Sequence, residues 1–345
     1  MSKTTICICT YNNHELLLLC IKSLFVQSID KINYDVLILD NSSGTVSNKE
    51  KLDECKKLCD LHGFTYLEEY ANGLSDARNI CIRRTTTEII HFIDDDTIVD
   101  FNFVENTIKI FEFPSVTVVG GKILPDWRLV KRPDWLSDEH LGFMSMLDFG
   151  DIEINRLQKD FYGFYLVGAN IAFRRTIFDK VGLFDTGLGR NAKTSTLMGQ
   201  EENELISRIP AEYDVIYSHK IKLNHIVVPS KVDKNWFFKR IAWQAVNDVM
   251  TNNVWLKNKR GKKDHIFQNL SKLITDSDEV DHFSDKLEMI HYIFFNILYS
   301  GDVNCGEQYN KLNNLNSEYR PNRNKSGNKI FLTSHQIKRG FRKIK

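Results

Sequence analysis

The chain has 345 residues, 42% of them hydrophobic and 26% charged, with a formal net charge of +1 at neutral pH. That length exceeds what one core usually fills, so one large α/β domain with an appendage is expected. So even a charge balance argues neither for nucleic acid nor for an acidic partner across the whole surface, and the composition is that of an ordinary soluble globular protein.

The opening MSKTTICICTYNN lacks an apolar stretch ahead of a small-residue cleavage site, so no signal peptide is expected. TTICICT, Thr4 to Thr10, reads as a strand ending in polar residues, and HELLLLCIKSLFVQS after it has helical spacing. YDVLILDNSS repeats the strand and stops at Asp40, and Lys49 to Leu61 is again helical. GFTYLEEY predicts a third strand, after which Asn72-Gly73 breaks the chain ahead of a helix in SDARNICIRR. EIIHFID predicts a fourth strand, and it runs into three consecutive carboxylates, Asp94, Asp95 and Asp96. Such alternation implies a mainly parallel sheet with helices on both faces, whose ligands bind beyond the carboxyl ends of the strands. Thr10, Tyr11, Asp40, Asn72 and the three aspartates all fall at those ends.

After Gly120 the rhythm breaks. PDWRLVKRPDWLSDEHLGFMSMLDFGD mixes Pro, Trp and charge and predicts a long irregular insertion. FYGFYLVGANIAFRRTIFDKVGLFD restores a strand and a short helix around Gly168 and Asn170, and Gly199 to Ile209 begins another helix. Two strands are expected near Asp214 to Ser218 and Lys222 to Val228, then helical spacing from Asn235 to about Lys257. HFSDKLEMIHYIFFNILYS predicts a further helix; its apolar core, Met289 to Tyr299, is shorter than the roughly 20 residues that span a bilayer. The boundary is placed near Lys231, giving an α/β domain over residues 1–230, a helical region over 231–318 and a basic tail over 319–345.

The seven cysteines show no repeated spacing. Cys7 and Cys9 share one face of a strand, and Cys55 and Cys59 are one helical turn apart. Neither pair has the second pair that a closed metal site needs, so buried thiols in a reducing cytoplasm are expected.

If the chain is still extended at Asp94, that side chain and Asp96 point one way and Asp95 the other. Two carboxylates on one side of a ligand-binding edge suit a hard divalent cation, while a solvated turn is the plainer reading, and local sequence leaves both open. Glu201, Glu202 and Glu204 form a second acidic cluster. It reads either as favourable charge at a helix N-terminus or as a general base facing the same crevice. Asp40 is either an Asx-turn residue or an acceptor for a ligand. Arg78 suits a phosphate or a carboxylate, and His225 is either structural or a metal ligand.

In order, TYNN at Thr10, LDNSS at Leu39, NGLSDARN at Asn72, FIDDDTIVD at Phe92, VGANIAFRRTIFDKVGLFDTGLGR at Val167 and QEENELISRI at Gln200 resemble the family 2 glycosyltransferases. The resemblance covers about the first two thirds of the chain. It implies the GT-A fold, a Rossmann-like mixed and mainly parallel sheet flanked by helices, with a C-terminal helical extension. It also implies an inverting, metal-dependent transferase that takes hexosyl or N-acetylhexosaminyl groups from a nucleotide-sugar donor, with a UDP-sugar expected. Thr10, Tyr11 and Asn13 would then lie on the nucleoside side, Asp40 would bond the base, and Asn72 and Asp76 would shape a loop that brings Arg78 close to the nucleotide. Asp94 and Asp96, with His225, would hold Mn2+ or Mg2+ against the diphosphate, and Asp95 would serve the donor ribose or sugar. Gly168, Ala169 and Asn170 would sit by the donor sugar and acceptor, and Arg240 or Lys239 would contact the diphosphate.

The family's acidic motif usually reads Glu-Asp. Here Glu202 stands at the Asp position as the expected base, with Glu201 as the fallback. The Gln-x-x-Arg-Trp signature of processive synthases is replaced by KRIAWQAVND, which implies one sugar per encounter. Trp127, Trp135 and Phe143 either stack on a sugar or fill a lid. Beyond Glu318 the tail is basic and interleaved with apolar residues, so it either rests on an anionic membrane near a lipid-linked or saccharide acceptor or is a solvated end. The expected place is the cytoplasm, including the inner face of the cell membrane, in bacterial cell-surface polysaccharide or glycan biosynthesis. The alternatives are a sugar nucleotidyltransferase, though CICTYNNHELL lacks the glycine-rich phosphate loop, and a non-catalytic nucleotide-sugar-binding module.

Overall fold

β-branched and aliphatic runs form the inner strands, because strands covered on both faces must be apolar nearly throughout. The structure is a computed structural model that describes residues 2–42, 46–158, 164–191 and 197–250. In chain order it contains β1 (Thr4–Thr10), α1 (His14–Ser23), β2 (Tyr34–Asp40), α2 (Lys49–His62), β3 (Thr65–Glu68), α3 (Leu74–Arg84), β4 (Ile89–Asp94), β5 (Thr97–Val99) and α4 (Phe103–Ile110). There follow β6 (Val116–Asp126), β7 (Glu153–Asn155), β8 (Asn170–Arg174), α5 (Ile177–Val181), α6 (Glu201–Ser207), β9 (Asp214–Ile226) and α7 (Lys234–Met250). Helix α2 shows how local chemistry sets the ends: the Asn48 side chain accepts the Lys51 amide at 3.1 Å at the start, and Gly63 turns left-handed at φ 65° at the finish.

The sheet runs β3-β2-β1-β4-β8-β6-β9-β5, with β7 also on β9. Strands β3, β2, β1 and β4 are parallel, as are β6 and β9, whereas β8 runs against both β4 and β6. The sheet is therefore mixed and mainly parallel. Its reversed strand has a functional consequence: Asn170, the first residue of β8, pairs in register with Ile93 near the end of β4. The entry to β8 thus lies at the edge where β1, β2 and β4 finish. Ile6, Ile8, Leu17, Ile21, Leu39 and Phe92 fill the core around this half of the sheet.

Several details depart from the sequence expectation, among them helix α4 and the short strand β7, which it did not name. The strands expected near Asp214 and Lys222 are one strand, β9, whose register against β6 shifts between Gly121 and Lys122. Because a bulge interrupts pairing without ending a strand, the polar SHK segment reads as a gap in sequence but not in space. The short strand β5 was also not expected; it directly follows the three aspartates and pairs with the far end of β9. Residues 1–243 form one compact unit. The remainder of the helical region and the basic tail, beyond Met250, lie outside the described residues. Among the described residues no helix is long and apolar enough to cross a membrane.

The irregularity of β9 against β6 depends on a glycine in β6. A Cβ on Gly121 would lie 2.1 Å from the Ile221 carbonyl oxygen and 2.2 Å from Asn170 Nδ2. Since the first of these is backbone, it cannot swing aside. Gly121→Ala is expected to destabilise the fold by about 2–3 kcal/mol, and an unchanged urea midpoint would contradict this packing.

Candidate functional site

The three aspartates form the turn between β4 and β5, and the turn sends them to different partners. Thr97 Oγ1 donates to the Asp94 carbonyl at 2.7 Å, closing the turn. Pairing of β5 with β9 puts Thr97 opposite His225, and the Ile226 amide donates to the Asp96 carbonyl at 2.8 Å. Asp94, Asp96 and His225 consequently offer ligand atoms that all lie within 4.8 Å of one another. His225 Nε2 is 2.8 Å from Asp96 Oδ1, and Lys231 Nζ is 3.2 Å from Asp96 Oδ2. Burial opposes ionisation of Asp96, but His225 and Lys231 outweigh it and hold the carboxyl well below the usual carboxylate range. Two carboxylates and an imidazole nitrogen this close suit a divalent cation such as Mn2+ or Mg2+ that keeps open positions for other oxygens. The buried His225 Nδ1 has no hydrogen-bond partner among the described residues.

Asp95 faces the other way. Its carboxylate accepts Thr10 Oγ1 at 2.6 Å and Asn13 Nδ2 at 2.8 Å. Burial first, and the neighbouring Asp96 charge second, push it up to about 8 despite those donors. Thr10 and Asn13 were expected to face a nucleoside; in the structure these polar groups secure Asp95 instead. Tyr11 stands half-buried at the rim.

Behind this edge is a second arrangement of charge, built around Arg78. Its guanidinium is buried and donates to Glu201 Oε1 at 2.6 Å and to the Gly168 carbonyl at 3.1 Å, and it lies 3.8 Å from Asp94 Oδ1. The rings of Phe92 and Phe184 are each 5.7 Å away. Burial disfavours its charge, yet Glu201 and Asp94 more than restore it and raise the guanidinium above its ordinary value. At position 168 a Cβ would come within 2.5 Å of Arg78 Nη2, so any larger residue would have to push the guanidinium off its partners. Arg78 therefore joins β4, α6 and the entry to β8 from inside, whereas the sequence placed it close to the nucleotide. An arginine surrounded by carboxylates in a largely apolar setting is better held by protein groups than by an exchangeable ligand.

Glu202, the next residue of α6, accepts the Gly168 amide at 3.0 Å. Burial and then the charge of Glu201 push its carboxyl up to about 8, against the pull of Arg78. One oxygen of each glutamate is buried without a hydrogen-bond partner among the described residues. Glu201 nevertheless has its charge matched directly by Arg78, while Glu202, among the described residues, is hydrogen-bonded by amide donors and is made more basic by its surroundings.

Several expected site residues are placed elsewhere. Asp40 is buried and accepts the Ser42 amide at 2.8 Å, His14 Nε2 at 2.9 Å and Tyr66 Oη at 2.7 Å. Burial opposes its ionisation, but these bonds hold it below the usual range. The Asx-turn reading thus describes it better than a ligand acceptor does. Asn170 is turned wholly into the sheet, bonding His91 Nε2 at 2.9 Å and the Ile221 carbonyl at 3.0 Å, so its side chain knits strands and does not face a donor. Asp76 accepts the Asn72 amide at 2.9 Å and shapes the loop before α3, with Asn72 exposed. Lys239 and Arg240 lie part-buried on α7. Trp135 packs edge-on against Phe237, 5.4 Å between centroids. Sequence reasoning missed Lys231, His14 and Tyr66. His14 and Tyr66 could have been suspected only from an Asp expected to be buried, and nothing local marks Lys231.

The family model described as Glycosyl transferase family 2 matches residues 5–182, more than half of the chain. A glucosyl-dolichyl phosphate glucuronosyltransferase of Haloferax volcanii is 24% identical, with 70% of this chain and 75% of that protein aligned. The poly(ribitol-phosphate) β-N-acetylglucosaminyltransferase TarP of Staphylococcus aureus is 22% identical, with 69% of each chain aligned. Among solved structures, the mannosyltransferase PcManGT from Pyrobaculum calidifontis, in complex with GDP-Man and Mn2+, superposes with a TM-score of 0.51. That pair is 17% identical and covers 92% of this chain and 81% of the other, a likeness of fold.

Arg78→Met would leave Glu201 buried without its cation and is expected to cost about 3–5 kcal/mol. Urea unfolding at neutral pH measures it, and a loss below about 1 kcal/mol would mean that the ion pair does not organise this edge.

Proposed function

The chain belongs to glycosyl transferase family 2, and from that premise we propose that it transfers a sugar from a nucleotide-diphosphate sugar to a hydroxyl acceptor with inversion at the anomeric carbon. The observation that carries this reading is the meeting, at one edge of the sheet, of the Asp94–Asp96–His225 cluster with a carboxylate, Glu202, made basic by burial. The first suits a diphosphate with its cation, the second suits the acceptor's proton, and Arg78 ties their supporting elements together.

In the proposed step Glu202 Oε2 accepts the proton of the acceptor hydroxyl as that oxygen forms its bond to the anomeric carbon. The bond from the same carbon to the diphosphate oxygen breaks on the opposite face, and the electron pair leaves with the diphosphate. A divalent cation, Mn2+ or Mg2+, held by Asp94, Asp96 and His225 would supply positive charge to that leaving group. Asp95, through Thr10 and Asn13, fixes the turn from which its two neighbours project.

We further propose a UDP-sugar donor, a hexosyl or N-acetylhexosaminyl group, and one sugar added per encounter. The proposed acceptor is a saccharide or a lipid-linked glycan of cell-surface biosynthesis. The relatives' names, one with a dolichyl phosphate and one with poly(ribitol-phosphate), support that class of acceptor. A working place in the cytoplasm at the inner membrane face is proposed from the basic sequence beyond Glu318 alone.

Glu202→Gln is expected to lower kcat by about 100- to 10,000-fold while donor affinity stays near that of the wild type; near-normal turnover would remove Glu202 as the base. Since only the deprotonated carboxylate accepts a proton, kcat/KM should rise with pH through an ionisation near 8 in the wild type, and steady-state rates across pH check the limb. Asp96→Ala should remove the dependence of transfer on Mn2+ together with the activity. For the tail, anionic vesicles should float the full chain and not a truncation before Arg320, and equal flotation would discard membrane contact.

A further inference from the structure

A lysine ammonium already stands among the groups that would hold the metal. Lys231 Nζ is 3.2 Å from Asp96 Oδ2 and 3.5 Å from His225 Nε2. Among the described residues it is the only Lys or Arg ion-paired with Asp96, whereas the guanidinium nearest Asp94 is engaged with Glu201. Two adjacent carboxylates at a partly buried edge need a positive charge, and in this arrangement Lys231 provides it.

That arrangement is internally contradictory at His225. Its Nε2 is 2.8 Å from Asp96 Oδ1, a contact in which a nitrogen must donate, and 3.5 Å from an ammonium that has only protons to give. No single tautomer serves both neighbours. A cation without protons, accepting the Nε2 lone pair and both carboxylates, would remove the conflict.

The two partners also differ in how firmly they are fixed. His225 belongs to a strand paired on both sides, with β5 and β6. Lys231 sits on a single 3-10 turn, Pro229–Val232, and reaches the cluster through a flexible four-carbon stem. Its ammonium can withdraw without breaking any strand pairing.

We propose that Lys231 is the resident counter-ion of this cluster, so that a divalent cation binds weakly to the free protein and tightly together with a nucleoside diphosphate, whose phosphates take over the displaced ammonium. The proposal rests on the metal-site reading of Asp94, Asp96 and His225. Its physical basis is mutual exclusion: two cations cannot share the Asp96 carboxylate without strong repulsion at these distances. A diphosphate adds negative charge and gives Nζ a new partner, which couples the two binding events, and such coupling acts equally in both directions.

The test titrates the full chain with Mn2+ alone and with Mn2+ in the presence of UDP or GDP, following free Mn2+ by electron paramagnetic resonance. Lys231→Met is expected to bind Mn2+ alone on the order of tenfold more tightly than the wild type, and the further tightening by nucleotide should shrink. Lys231→Arg, which keeps the charge, should remain within about threefold of the wild type for Mn2+ alone. If Lys231→Met binds Mn2+ no more tightly than a wild type that does bind it, the counter-ion role is overturned and the metal site stands. If neither protein binds Mn2+ with or without nucleotide, the metal reading falls and this proposal with it.

Discussion

The charged edge of the sheet depends on a buried guanidinium that must be neutralised where it lies. Arg78 cannot shed its proton and is shut away from water, so the protein has to bring negative charge to it from several directions. Glu201 supplies one carboxylate, Asp94 stands close by, and the Gly168 carbonyl completes the set. Three chain segments far apart in sequence are thereby fixed to one another within a few ångströms. The position of Glu202 is a by-product of this demand. With Glu201 engaged by arginine, its neighbour on the same helical turn is left beside the Gly168 amide in a low-dielectric setting that raises its basicity.

The three aspartates follow the same logic by division. A strand that turns at Asp95 sends the flanking carboxylates toward His225, Lys231 and Arg78, and the middle one toward neutral donors, Thr10 and Asn13. The result is a separation of character among identical side chains. Asp96 is held as an anion by its contacts with His225 and Lys231, while Asp95, half-buried beside it, resists ionisation up to about 8.

Much of the fold was legible because strand and helix periodicities are local: β1, β2 and α2 lie nearly where the sequence puts them. Asp94 and Asp96 do come together as the sequence suggested, but across a turn at Asp95 and Asp96 and not by alternation along an extended chain. What local sequence leaves open is which partner a polar side chain finds. Asp40 and Asn170 looked like ligand groups because they sit near strand ends, but long-range donors and acceptors claim them first. Arg78 misled for a related reason, since its carboxylate partner lies 123 residues further along the chain. Lys231 is 135 residues from Asp96, on a short turn with no motif of its own. The bulge in β9 hid as well, because a polar interruption resembles a loop when the partner strand is unknown.

The reversed strand β8 has a further consequence. The half of the sheet that carries Thr10, Asp40 and Asp94 is built from consecutive strand–helix units of the first hundred residues, whereas Gly168 reaches the same edge only after the chain has travelled through β6, the irregular segment and β7. That segment begins and ends at strands whose pairing is fixed elsewhere, so its length and composition can drift without altering the register of β1, β2 and β4. The architecture therefore assembles the charged edge from two parts, Arg78 and Asp94 to Asp96 from the consecutive strand–helix units, and Gly168, Glu201, Glu202 and His225 from chain that returns to them after the excursion.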